Sequence, residues 1–124
     1  MSAIMLSVNP EHVRNIFSGT KKYEFRKVIC KRDVKKILIY STRPVMKVVG
    51  EVAVKNVLER KPEELWKITS EFAGIDREFF DEYFRGKDKA VAYELGETTE
   101  YVVGKELSEF GLTAAPQSFA YVPL

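Results

Sequence analysis

NPEHVRNIFSGTKKYEFR, residues 9–26, contains the turn on which the fold depends. Asn9 can cap a helix, and Pro10, with its fixed φ and missing N–H, suits the first helical position. Val13, Ile16 and Phe17 then recur at the spacing of one helix face, and Gly19 offers a left-handed stop. From Lys22 to Lys27 the period changes to strict alternation. Tyr23 and Phe25 share one face and Lys22, Glu24 and Arg26 the other, which is the pattern of a half-buried strand. The glycine lets the chain leave the helix and enter the strand sharply, so Lys21 lies at the junction while Glu24 and Arg26 project together.

Working outward, Ala3–Val8 reads as a strand before this helix. Lys36–Ser41 (KILIYS) and Val48–Leu58 read as strands after it, joined by a turn at Thr42–Pro44. Gly50, inside a strand pattern, marks a bulge or a close approach. Pro62, Glu63 and Glu64 make a favourable first turn for a second helix whose Leu65, Trp66, Ile68 and Phe72 are expected to pack inward before Gly74 ends it. Asp76 caps a third helix, with Ile75 placed to staple against Phe80. Its stripe of Phe79, Phe80, Tyr83 and Phe84 is read as core, and Gly86 stops it. Strands resume at Lys89–Leu95, Glu100–Val103 and Gln117–Val122. Seven strands and three helices without regular βα alternation predict an α+β fold, a small mixed β-barrel flanked by about three helices.

The 124 residues, 45% hydrophobic, suffice for one domain over 1–124 with a continuous core. Cys30 and His12 are the only cysteine and histidine, which argues against disulfide frameworks, CxxC pairs and multi-ligand zinc sites; no metal or cofactor is expected. Cys30 is read as a buried small hydrophobe and His12, at the third helical position, as a surface or capping residue. The N-terminus lacks the basic and apolar regions of a signal peptide, and no stretch is long enough to span a membrane, so a cytoplasmic protein is expected. Net charge is +2, yet eleven of the 20 Lys and Arg fall in residues 1–49 beside three acids. Such asymmetry points to a cationic face with an anionic partner.

Gly19 to Arg26 matches the pattern GxKxxExR, which resembles the signature of the ASCH family. The phrases SVNPEHVRNIFSGTKKYEFRK, ILIYSTRPVMKVVGEVAV and APQSFAY extend the resemblance over nearly the whole chain, to small stand-alone prokaryotic and archaeal members. The resemblance implies a PUA-like barrel with a cleft beside the first helix, binding RNA or a modified nucleoside. Lys21, Glu24 and Arg26 are the principal candidates. Arg26 offers a fork of donors to a phosphate, Lys21 a compact charge, and Glu24 an acceptor for a base amino group. The structural alternative is a plain ion pair between Glu24 and Arg26. Lys22 and Lys27, with Lys31, Arg32, Lys35 and Lys36, would draw in a phosphate backbone. Ser41, Thr42 and Arg43, after a neighbouring strand, and Gln117 and Ser118, in the closing block, are second-rank candidates. Tyr23, Phe25, Tyr40, Phe119 and Tyr121 are weighed as stacking surfaces and read mostly as core.

A binding module is favoured over an enzyme. Some ASCH relatives resemble amidohydrolases acting on acylated cytidine through a lysine, a threonine and a glutamate. Here Glu24 stands where that threonine would be, and a carboxylate is a poor replacement for an activated hydroxyl. Hydrolysis of RNA or of a modified nucleoside by Lys21 and Glu24 remains the enzymatic alternative. A protein-interaction module, using the acidic helices from Glu63 to Glu82, is the third.

Overall fold

The computed structural model describes residues 2–123. Its elements are β1 (Ser2–Val8), α1 (Pro10–Ser18), β2 (Tyr23–Arg26), β3 (Val34–Ser41), β4 (Lys47–Arg60), α2 (Pro62–Thr69), α3 (Arg77–Tyr83), β5 (Ala90–Lys105) and β6 (Ala120–Pro123). Short 3-10 turns follow α2, at Ser70–Phe72, and β5, at Leu107–Phe110. The fold is α+β with three α-helices, as the sequence predicts. Among the described residues no helix is long and apolar enough to cross a membrane.

The strands form one mixed sheet in the order β2-β5-β4-β3-β1-β6, parallel only between β1 and β3. The backbone ladder runs from β2 to β6 and stops short of the closed barrel expected. The reason lies in β6, whose four residues pair only with Ser2–Met5 and leave the end of β1 unpaired on that side. There the Ser7 carbonyl accepts a hydrogen bond from Arg26 Nη2 of β2, 2.8 Å away. A side chain thus bridges the seam where another strand would sit.

Alternation sorts the side chains of the sheet into separate cores. Ile4, Leu6 and Val8 of β1 meet Ile37 and Ile39 of β3, Val91 and Tyr93 of β5, and Val13 and Ile16 of α1. On the other side of β5, Ala90 and Ala92 pack with Phe25, Leu65, Phe80 and Phe84 beneath α2 and α3. Tyr23 and Phe25 therefore bury under the helices, while Glu24, paired with Tyr93, takes the opposite side of β2.

Local differences from the sequence reading have physical causes. The stretches 89–95 and 100–103 belong to one strand, β5, which absorbs Gly96 and register shifts against β4 without breaking. Gly50 is the close approach expected, since an added Cβ would lie 2.5 Å from the Phe17 ring and from the Thr99 carbonyl oxygen. Helix α2 ends at Thr69 and tightens into a 3-10 turn that carries Phe72 out to solvent, and Ile68, on the outer face of α2, is exposed as well. The last strand begins at Ala120, leaving Gln117 and Ser118 in the preceding loop.

Candidate functional site

Local structure delivers the signature residues. Asn9 Oδ1 accepts the Glu11 N–H at the start of α1, and Gly19 at φ 87° ends the helix, its N–H returning to the Asn15 and Ile16 carbonyls. The Lys21 N–H also donates to the Asn15 carbonyl, so the exit from the helix is fixed before β2 begins. Lys21 then turns inward and is only 3% exposed. Its Nζ donates to the Ala73 carbonyl at 2.7 Å and stands 3.7 Å from Glu24 Oε1. The lysine stem crosses Gly74, where a Cβ would lie 2.5 Å from Lys21 Cγ, so that position admits no side chain while the lysine is in place. Gly74 also has φ +72°, which favours glycine.

Glu24, 5% exposed, is held from two sides, because its Oε2 lies 3.0 Å from Arg26 Nη2. That nitrogen also serves the Ser7 carbonyl, and Nη1 donates to the Phe25 carbonyl at 3.3 Å. Desolvation of a charge is costly unless paired, and here one carboxylate balances two cations. Burial lowers the Lys21 pKa; attraction to Glu24 opposes that and repulsion from Arg26 adds to it.

The trio lines a small recess of about 80 Å³ with His12, Phe25, Ile75, Phe79 and Tyr83. His12 is thus a site residue that sequence reasoning placed on the surface. Its ring meets Phe79 edge to face at 5.8 Å, and its Nδ1 is buried without a hydrogen-bond partner. Burial, then the Lys21 charge, lower its pKa, so the imidazole is mostly neutral at pH 7; Glu24 and Glu11 pull the other way and Arg26 adds to the lowering. Arg26 Nε is likewise buried and unpartnered. Phe79, read as core, is 51% exposed and walls the recess with Tyr83. The only sequence signal for His12 was its place on the helix that delivers Lys21.

Two further hollows meet the first at Arg26. One, about 490 Å³, is lined by Ser7, Val8, Asn9, Glu11, His12, Glu24, Arg26, Gly74, Ile75, Asp76 and Phe79. The other, about 360 Å³, is lined by Ser7, Arg26, Lys27, Val28, Tyr83, Gln117 and Ser118. Lys21, Glu24 and Arg26 are thus brought together, and Lys27, Gln117 and Ser118 adjoin them. Lys22 points elsewhere, its Nζ 4.3 Å from the centre of the Phe72 ring, and lines with Lys55 and Glu97 a separate groove that reaches Lys21 from its other side. Ser41, Thr42 and Arg43 line none of the three hollows that share Arg26. Ser41 is buried opposite Val8, and the Thr42 N–H donates to the Val8 carbonyl. Among the stacking candidates, Phe25 and Tyr40 are buried. The Tyr121 hydroxyl accepts the Lys31 and Arg32 N–H groups. Cys30 is buried, as read. Among the described residues no group of three or more His, Cys, Asp or Glu is placed to hold a metal ion.

Comparison with known proteins agrees with this architecture. The ASCH domain matches residues 6–107. Large ribosomal subunit protein uL22 of Ureaplasma parvum serovar 3 is 32% identical over 120 residues, 96% of this chain and 39% of that protein. An ASCH domain-containing ribonuclease of Zymomonas mobilis is 33% identical over 90 residues, 72% of this chain and 61% of the relative. The chain thus spans less than two thirds of the length of each. The crystal structure of ASCH from Zymomonas mobilis superposes with a TM-score of 0.88 at 27% identity, covering 98% of this chain and 87% of the other.

Proposed function

This chain belongs to the ASCH domain family, and we propose that it is an RNA- or nucleotide-binding domain whose recess over Lys21, Glu24 and Arg26 receives an unpaired base. The observation that carries this reading is a buried carboxylate clamped between two cations on the wall of an accessible hollow. A structural ion pair needs no hollow beside it. Glu24 supplies an acceptor for a base amino group, and Phe79 and Tyr83 supply flat apolar walls. Lys27, Lys31 and Arg32 supply attraction to phosphates, in keeping with a partner met in the cytoplasm.

The reading is tested by fluorescence anisotropy of labelled single-stranded homopolymer RNAs across a salt series. Lys27→Ala and Arg32→Ala weaken binding to all of them and flatten the salt slope. Glu24→Gln reorders the preference among bases more than it changes mean affinity. Uniform effects of both kinds of substitution would sink the division of roles.

A second reading, RNA cleavage, draws on the unpartnered and largely neutral His12, a group able to accept a proton, and on the relative named a ribonuclease. End-labelled RNA incubated with the protein checks it. Turnover lost in both Lys21→Ala and His12→Ala would establish an enzyme, and intact RNA would leave binding as the function.

A further inference from the structure

The proposed base recess leaves open which part of a ligand carries charge, and its two neighbouring hollows differ in sign. The one toward the N-termini of α1 and α3 presents Glu11, Glu24 and Asp76 against Arg26. Helix N-termini attract anions through free N–H groups, but here each cap side chain already occupies one of them and adds its own oxygen. Asn9 Oδ1 accepts the Glu11 N–H at 3.1 Å and Asp76 Oδ1 the Phe79 N–H at 2.8 Å. Three carboxylates with capped helix ends make this side hostile to phosphate and suited to donors, such as base amino groups.

The hollow on the other side has the opposite character. Arg26 and Lys27 line it without any carboxylate, and Ser118 and Gln117 add neutral donors from the loop before β6. Lys27 Nζ sits 4.7 Å from the centre of the Tyr83 ring, which itself walls both this hollow and the base recess. Arg26, a wall of both, stands between them.

We infer that the hollow formed by Arg26, Lys27, Gln117 and Ser118 is a phosphate subsite, so that the ligand is a phosphorylated nucleotide or an RNA strand and not a free nucleoside. This rests on the base-recess reading and gives it a direction: the base lies toward Glu24 and His12, and the phosphate crosses Arg26 toward Lys27. The phosphate comes from a mononucleotide or from an RNA backbone, and the two sources differ in how affinity grows with length.

The test is calorimetric titration with the four ribonucleosides, their 3′- and 5′-monophosphates, and a mixed-sequence RNA hexamer. Three proteins are compared: the wild type, a Lys27→Gln, Gln117→Ala, Ser118→Ala triple variant, and Lys55→Gln in the separate groove. All four substituted residues are exposed, and circular dichroism confirms the fold of each variant. Phosphorylated probes should bind at least about tenfold tighter than nucleosides, the scale of a charge-assisted hydrogen bond. The triple variant should abolish that advantage while nucleoside binding and the Lys55→Gln protein stay unchanged. A hexamer no tighter than a monophosphate assigns the subsite to free nucleotides, and a tighter one to RNA. A phosphate advantage that survives in the triple variant overturns the subsite while leaving the base recess standing. Failure of every probe to bind overturns the base recess as well.

Discussion

Lys21–Glu24–Arg26, two cations about one carboxylate, and Glu63–Arg77–Asp81, two carboxylates about one cation, are both charged trios, yet the molecule treats them differently. Arg77 lies on α3 and pairs with Asp81 one turn on and with Glu63 of α2, all three in solvent. There water screens the charges, and the arrangement contributes little to stability. The signature trio has been withdrawn from water by the exit from α1 and by the packing of the Ala73–Gly74 turn over Lys21. The same carboxylate becomes a fixed acceptor beside a hollow. What separates a surface ornament from a candidate site is thus the local backbone, more than the side-chain types.

The largest effect that would sharpen this contrast is expected from Glu24→Ala, which leaves the buried Lys21 and the partly buried Arg26 without their counter-charge. Urea unfolding should register a loss of about 3–5 kcal/mol, the scale for breaking a buried pair. A loss near zero would mean that the trio is as solvated as its counterpart on α3. Next comes Gly74→Ala. A positive φ on a non-glycine residue costs roughly 1–3 kcal/mol, and the added methyl collides with the lysine stem. The collision can be separated from the backbone strain, because the cost should shrink when Gly74→Ala is made in a Lys21→Ala background.

Titration gives a smaller effect with a definite sign. The folded-state pKa of His12 lies below its ordinary 6.5. As the pH falls through that value the unfolded chain takes up the proton first, so stability drops, and the drop ends once the folded pKa is passed. Urea midpoints between neutrality and mild acid should fall less steeply for His12→Gln than for the wild type. Lys21, whose pKa lies below 10.5 in the fold, acts at the other end. Holding its charged form is unfavourable at neutral pH, and the disadvantage lifts as the pH rises toward 10.5. The smallest effect belongs to Arg77→Ala, which should leave the thermal midpoint essentially unmoved and RNA affinity untouched; a marked loss of either would erase the distinction between the two clusters.

Much of this was legible before the coordinates, for reasons that can be named. Asn9, Pro10 and Gly19 act within a few residues of themselves, so the bounds of α1 follow from local chemistry. The alternation Tyr23–Glu24–Phe25–Arg26 correctly separates an apolar from a charged face. What escaped the sequence depends on contacts far apart in the chain. Phe79 looks like core on any helical pattern, and only the placement of α3 against α1 and β2 turns it into a wall. His12 gave no motif, and its burial beside Lys21 appears only once α1 lies over the sheet. The stretches 89–95 and 100–103 read as two strands, yet pairing with β4 carries β5 on through Gly96 between them.

The shortness of β6 has a consequence for how this protein can be improved. Extending it to zip up the remainder of β1 would replace the Arg26–Ser7 contact with main-chain bonds and raise resistance to heat, the usual aim of consensus engineering. It would also evict the guanidinium that walls all three converging hollows. Selection for a hardier scaffold and selection for retained binding should therefore part company at this seam, with survivors of the first recognisable by a lost arginine.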